Sequence, residues 1–271
     1  MRAPAVAGSF YTSNSRELAR EVDDYISKAS RELANVKKPF ALVAPHAGYM
    51  YSGAVAGFSY ACLKKAYSSP PPLVILSPNH TGNGVSLALS REDWKTPLGV
   101  AKNDEELARK IEEAGGNAIE FDENGHEFEH SLEVQLPFLQ RVYREFKFVG
   151  ICMLEQSFES ASAVANAVYE ASKGKAVVIA SSDFTHFENA ESAKRKDFEA
   201  IEKLKSLDAR GFVEVVRARR ASICGFAPIA AAALYAKKCG ASEGKLLKYA
   251  SSGDVTGDRS SVVAYASLSF E

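Results

Sequence analysis

Excess charge of either sign is missing from this chain. Its 33 Lys and Arg nearly balance 34 Asp and Glu, for a formal net charge of -1. Electrostatics therefore favour neither nucleic acid nor an acidic membrane as a partner. Long apolar runs are missing too, since none approaches the ~20 residues of a membrane helix. The opening Met1 to Phe10 lacks the longer apolar core of a signal peptide, and the expected compartment is the cytoplasm. Cysteine is sparse: Cys62, Cys152, Cys224 and Cys239 are the four in 271 residues. None forms a C-x-x-C pair, and a chain this long needs no disulfide staples. Free thiols are expected, buried and apolar for Cys62, Cys152 and Cys239. No internal repeat, low-complexity tract or clear linker divides the sequence, so a single domain over residues 1–271 is expected.

What is present is a recurring form. The apolar run Phe40 to Ala44 ends in Pro45, and His46 follows at once. Leu73 to Ser77 leads through Pro78 and Asn79 to His80, and Val177 to Ala180 leads to Asp183 and His186. Ligands of open α/β sheets bind beyond the C-terminal ends of the strands, so three such runs predict a crevice lined by histidines. Helical spacing recurs between the strands. Asn14 before Leu18, Val22 and Ile26 marks one helix start, Asn103 to Glu106 opens another, and Phe158 to Ser172 forms a third. Tyr49 to Gly53 reads as a turn ahead of a small-residue helix over Val55 to Ala66. Two closing strands, Leu246 to Ala250 and Ser261 to Phe270, are expected to pair antiparallel. The alternation predicts a three-layer α/β/α sandwich around a largely parallel or mixed sheet.

The chemistry-bearing residues gather at the strand ends. Imidazole is a common ligand of Zn, Cu and Fe, and His46 and His80 stand on rigid elements. Cys224 precedes Gly225 and a short helix, Pro228 to Lys237. A helix N-terminus favours thiolate, so Cys224 is a candidate third ligand, which would leave an open coordination position; the alternative is a small residue packed in a tight turn. Asp183 and His186 read as a hydrogen-bonding or acid/base pair beside the metal. The bland alternative is a helix N-cap with a surface histidine. Glu133 is placed to orient His130 on a shared helical face, with a polar rim to the crevice as the bland alternative. His126, in an acidic loop, is expected to be solvated. Tyr49 and Tyr51 are candidate pocket walls, although two tyrosines beside a turn are more often packing residues.

Together His46-Ala47-Gly48-Tyr49, Ser77-Pro78-Asn79-His80, Glu129-His130-Ser131-Leu132-Glu133-Val134-Gln135-Leu136-Pro137, Ser181-Ser182-Asp183-Phe184-Thr185-His186 and Ile223-Cys224-Gly225 resemble the Memo family. Its microbial members are called AmmeMemoRadiSam system protein B. The opening Arg2 to Tyr11 is similar to the start of that family as well. The resemblance implies a fold akin to LigB-type class III extradiol dioxygenases, which are non-haem iron enzymes. It implies metal ligands at His46, His80 and Cys224, with His130, Asp183 and His186 as catalytic candidates in the surrounding pocket. Those dioxygenases use two histidines and a carboxylate. A thiol in the third place favours Cu(I), Zn or a retuned Fe and argues against catechol cleavage. The expected function is metal-dependent redox or oxygen-linked chemistry on a small molecule. The alternatives are a metal-free hydrolase using Cys224, His186 and Asp183, and a binding protein that keeps an ancestral pocket. No phosphopeptide site of the kind linked to animal members is legible.

Overall fold

The computed structural model describes residues 1–271. In chain order the elements are α1 (Ser15–Glu32), β1 (Ala41–Ala44), α2 (Tyr49–Ala66), β2 (Leu73–Pro78), β3 (Leu87–Leu89), β4 (Trp94–Thr96), β5 (Gly99–Asn103), α3 (Glu105–Gly115) and β6 (Glu120–Phe121). There follow α4 (Leu136–Val142), β7 (Lys147–Met153), α5 (Phe158–Ser172), β8 (Val177–Ser181), β9 (His186–Glu188), α6 (Ala190–Lys205), α7 (Ala209–Arg219), α8 (Phe226–Lys238), β10 (Gly244–Ser251), α9 (Gly253–Thr256) and β11 (Val262–Phe270). No helix is long and apolar enough to cross a membrane.

The main sheet is mixed, in the order β10-β11-β1-β8-β2-β7-β3-β6. Its centre, β1-β8-β2-β7, is parallel. The closing strands β10 and β11 pair antiparallel as expected, and β11 continues the pairing onto β1. Every residue of β1, β2 and β8 is buried. Burial on both faces is why these strands read as continuous apolar runs rather than alternating ones. Successive side chains nevertheless enter different cores. Val43, Val74, Leu76, Val178 and Ala180 join one cluster with residues of α5, α7 and α8. Leu42, Ala44, Leu73, Ile75, Val177 and Ile179 join a second with residues of α1, α2 and α4. Helices thus cover both faces of the sheet.

Asn14 caps α1 through its side-chain oxygen, which accepts from Arg16 N and Glu17 N. The sequence expectation fails at Tyr49 to Gly53, which is the first turn and more of α2. Glycine there is not punctuation. A Cβ on Gly53 would lie 2.5 Å from the Tyr25 ring, and one on Gly57 would lie 2.8 Å from the Tyr25 carbonyl oxygen. The two glycines let α2 lie against α1 at a distance that any side chain would prevent.

Candidate functional site

The three strands whose ends carry histidine or aspartate are consecutive neighbours, β1-β8-β2. His46 follows β1 by two residues and is buried. Its backbone N–H donates to Asp183 Oδ1 at 2.8 Å, and Ala47 N–H donates to the same oxygen at 3.3 Å. Its ring presents Nδ1 to the Ser181 hydroxyl at 2.9 Å and Nε2 to the Cys224 sulfur at 3.2 Å. Burial lowers its pKa well below the usual range, with the neighbouring His130 and His80 acting in the same direction. His46 is therefore a neutral imidazole at neutral pH.

His80 follows β2 and is solvent-exposed. It is held by Glu129, a fully buried carboxylate. The His80 backbone N–H reaches Glu129 Oε2 at 2.5 Å, and His80 Nδ1 lies 3.0 Å from Oε1. Glu129 also accepts from Ser131 N and Ser131 Oγ, at 2.8 and 2.7 Å. His130 Nδ1 stands 3.4 Å from the same Oε1. Burial alone would raise the Glu129 pKa. The hydrogen bond and charge of His80, with His130 behind them, outweigh it and hold the carboxyl well below the usual range. An ionised carboxylate only accepts, so His80 carries its hydrogen on Nδ1 and turns Nε2 to the crevice.

The Asp183 and His186 side chains are not hydrogen-bonded to each other. Asp183 is spent on the His46 and Ala47 amides, and no helix begins at it. Burial raises its carboxyl to about 6, against the pull of the His46 N–H and the His186 charge. His186 opens β9, half-exposed, and is held by Ser222: its N–H donates to Ser222 Oγ at 2.8 Å, and Nδ1 lies 2.7 Å from Ser222 O. Cys224 accepts a weak hydrogen bond from Asp183 N at 3.3 Å. The expected thiolate at a helix N-terminus is overridden. Burial, with the Asp183 charge beside it, pushes the thiol upward instead. Gly225 is needed for this approach, because a Cβ there would lie 2.6 Å from Ser181 O.

One donor atom from each of His46, His80 and His130 lies within 4.8 Å of the other two. A triangle of that side has its centre about 2.8 Å from each corner, less than ~1 Å beyond a Zn–N bond. The donor set is borderline to soft and fits a transition-metal ion. Ring orientation separates the three imidazoles. His46 stands edge-on to His80 and to His130, at 79° and 88°, whereas His80 and His130 are stacked at 29° with centroids 4.7 Å apart.

Residues 2–269 match the model of the Memo-like proteins. The chain belongs to the Memo family. It is 47% identical over 277 residues to a MEMO1 family protein of Methanosarcina mazei, covering all of this chain and 99% of that one. A MEMO1 family protein of Saccharolobus solfataricus is 41% identical over 284 residues, with 99% of each chain covered. Among solved structures, an uncharacterised protein from Escherichia coli K12 shares the fold, with a TM-score of 0.55. It is 12% identical, and the match covers 85% of this chain and 99% of that one.

Two supports of the Memo site differ from the sequence expectation. Glu133 does not orient His130. It is fully buried and receives Arg2 Nη1 at 2.7 Å, Tyr11 Oη at 2.6 Å, and the backbone N–H groups of Ala5 and Val6. It thereby anchors the segment before α1, which lays Phe10 against His130 at a ring distance of 4.7 Å. Arg2 also donates to the carbonyls of His126 and Glu129, at 2.7 and 2.6 Å, bracing the histidine loop from behind. His126 is not solvated. It is fully buried, its Nε2 lies 3.0 Å from Ala88 O, and burial lowers its pKa to about 4. Tyr49 follows the packing reading: it is buried and donates to Val134 O at 2.6 Å. Glu129 is the residue that sequence reasoning missed. Its signal was a carboxylate directly before His130, obscured by the acidic loop that precedes it.

Proposed function

We propose that this Memo-family chain is a metal-dependent redox enzyme acting on a small molecule in the crevice beyond β1, β8 and β2. The observation that carries this reading is the gathering of His46, His80 and His130 donor atoms within 4.8 Å, with Cys224 Sγ 3.2 Å from His46 Nε2. His46, His80 and Cys224 are the ligands in this reading. Cys224 Sγ, already beside His46 Nε2, takes the third place in this reading and leaves His130 free to face the open side. A bound Fe, Cu or Zn ion would supply Lewis acidity and, for Fe or Cu, electron transfer.

The remaining residues act on what enters. Asp183 pins the His46 backbone through Oδ1, and its carboxyl, near pKa 6, can hold or release a proton close to neutrality. His186, with Nδ1 committed to Ser222 O, presents Nε2 as its acid/base atom. Phe10 and His130 form an aromatic wall.

Elemental analysis of anaerobically purified protein tests the reading, followed by the same measurement on His186→Ala. Near-stoichiometric Fe, Cu or Zn in both proteins, with turnover lost in the variant, is the expected result. Protein that neither retains nor takes up these ions would sink the metal reading. Metal without turnover on any small molecule would leave a binding protein. The Cys224–His46 contact also bears on a thiol hydrolase. That pair rests as neutral thiol and neutral imidazole, because burial raises the one and lowers the other. Slow alkylation of Cys224 by iodoacetamide at neutral pH is therefore expected, where an activated nucleophile would react fast.

A further inference from the structure

Ser181 ends β8 at the floor of the crevice, fully buried. Its hydroxyl has three neighbours: Ser131 O at 2.6 Å, Gln135 Nε2 at 2.7 Å and His46 Nδ1 at 2.9 Å. A hydroxyl brings one hydrogen and two lone pairs. The Ser131 carbonyl can only accept, so it takes the hydrogen. The Gln135 amide nitrogen can only donate, so it fills one lone pair. The second lone pair faces His46 Nδ1, which must then carry a hydrogen.

The hydrogen on His46 Nδ1 depends on which way the Gln135 amide points, and the other contacts of that amide decide it. Nε2 lies 3.0 Å from Pro45 O, an acceptor only, while Oε1 receives the Tyr60 hydroxyl at 2.7 Å. Turning the amide over would set two oxygens face to face at Pro45. It would also leave the Ser181 oxygen facing acceptors on two sides with a single hydrogen to give. Tyr60, Gln135, Ser131 and Ser181 are all fully buried, so solvent does not repair a mismatch.

We propose that the buried chain Tyr60–Gln135–Ser181 sets the tautomer of His46, so that Nδ1 holds the hydrogen and Nε2 turns its lone pair on Cys224 and the crevice. Gln135 and Ser181 are then positioning residues. The opposite tautomer would oppose two lone pairs at Ser181, and one unmet buried group biases the ratio by about tenfold or more. With Asp183 fixing the His46 backbone, ring and main chain are both set from the end of β8. The device deepens the metal reading by preparing a donor atom in advance, but it does not need that reading to hold.

Long-range proton–nitrogen correlation spectra of histidine-labelled, metal-free protein at neutral pH test it. The chain has only five histidines, and His46 is assigned by its disappearance in His46→Gln. His126, whose Nε2 faces Ala88 O, supplies an opposite tautomer in the same spectrum. His46 should show protonated Nδ1 and bare Nε2. A protonated Nε2, or an even mixture, overturns the proposal whatever the Ser181 variants do. Ser181→Ala should shift His46 toward a mixture, and Ser181→Thr should restore the original pattern. A folded Ser181→Ala that keeps the pure pattern would remove Ser181 from the role. Because the spectra are taken without metal, failure of the wild-type protein to bind Zn²⁺ would overturn the metal reading alone.

Discussion

The Glu129 carboxylate grips His80 twice, through its backbone N–H at 2.5 Å and its ring Nδ1 at 3.0 Å. One buried acid thus fixes both the position and the rotation of an otherwise exposed imidazole. Glu129→Gln keeps the size and removes the charge. In the metal reading it should lower Zn²⁺ affinity by about 10–100-fold while the fold persists. Competition titration against a chelator measures this, and parental affinity in the variant would show that His80 needs no such support.

Cys224→Ser should weaken Cu(I) more than Mn²⁺, because it exchanges a soft donor for a hard one. The loss should appear in the ratio of the two affinities and not merely in their sum. An unchanged Cu(I) affinity would take Cys224 out of the ligand set and leave His130 as the third donor.

His126 links acid to stability. Its pKa is lowered from 6.5 to about 4 by burial. Between those values the unfolded chain binds a proton that the folded chain refuses. Its contribution is therefore complete above pH 6.5 and is lost as pH falls toward 4, amounting to roughly 3 kcal/mol over the window. Denaturant titrations across that range should fall less steeply for His126→Gln than for the parent. Parallel curves would mean that His126 is protonated, or reached by water, in the folded protein.

Gly57→Ala should cost about 1–3 kcal/mol by forcing α2 away from α1. The new methyl would meet the Tyr25 carbonyl oxygen at 2.8 Å and carbon at 2.9 Å, and backbone cannot swing aside as a side chain can. Thermal unfolding of the variant measures the loss, and an unchanged melting temperature would show that the two helices part without cost.

The layers, the closing antiparallel strands and the strand ends bearing His46, His80 and Asp183 were legible because each is written in a few adjacent residues. Misreadings arose where one residue type serves two purposes. Gly53 looks the same in a turn as beneath the Tyr25 ring. An acidic loop looks solvated whether or not His126 is folded under Trp94 and Arg2. Glu129 and Ser181 were illegible for another reason. Their partners lie 49 and 135 residues away, at His80 and His46. Local spacing carries no trace of such pairs, which exist only once β1 lies beside β8 and the loop bearing Glu129 meets the end of β2.

That strand order makes the sheet a ruler. Neighbouring strands are held about 4.8 Å apart by their ladders, and His46, Asp183 and His80 leave from three successive rungs of that scale. Widening the frame would mean breaking backbone hydrogen bonds between fully buried strands. Any give in the crevice must come from its walls: the segment carrying Phe10, the loop from His126 to Ser131, and the turn around His186. The floor has one size, and differences in what the crevice admits are left to those three.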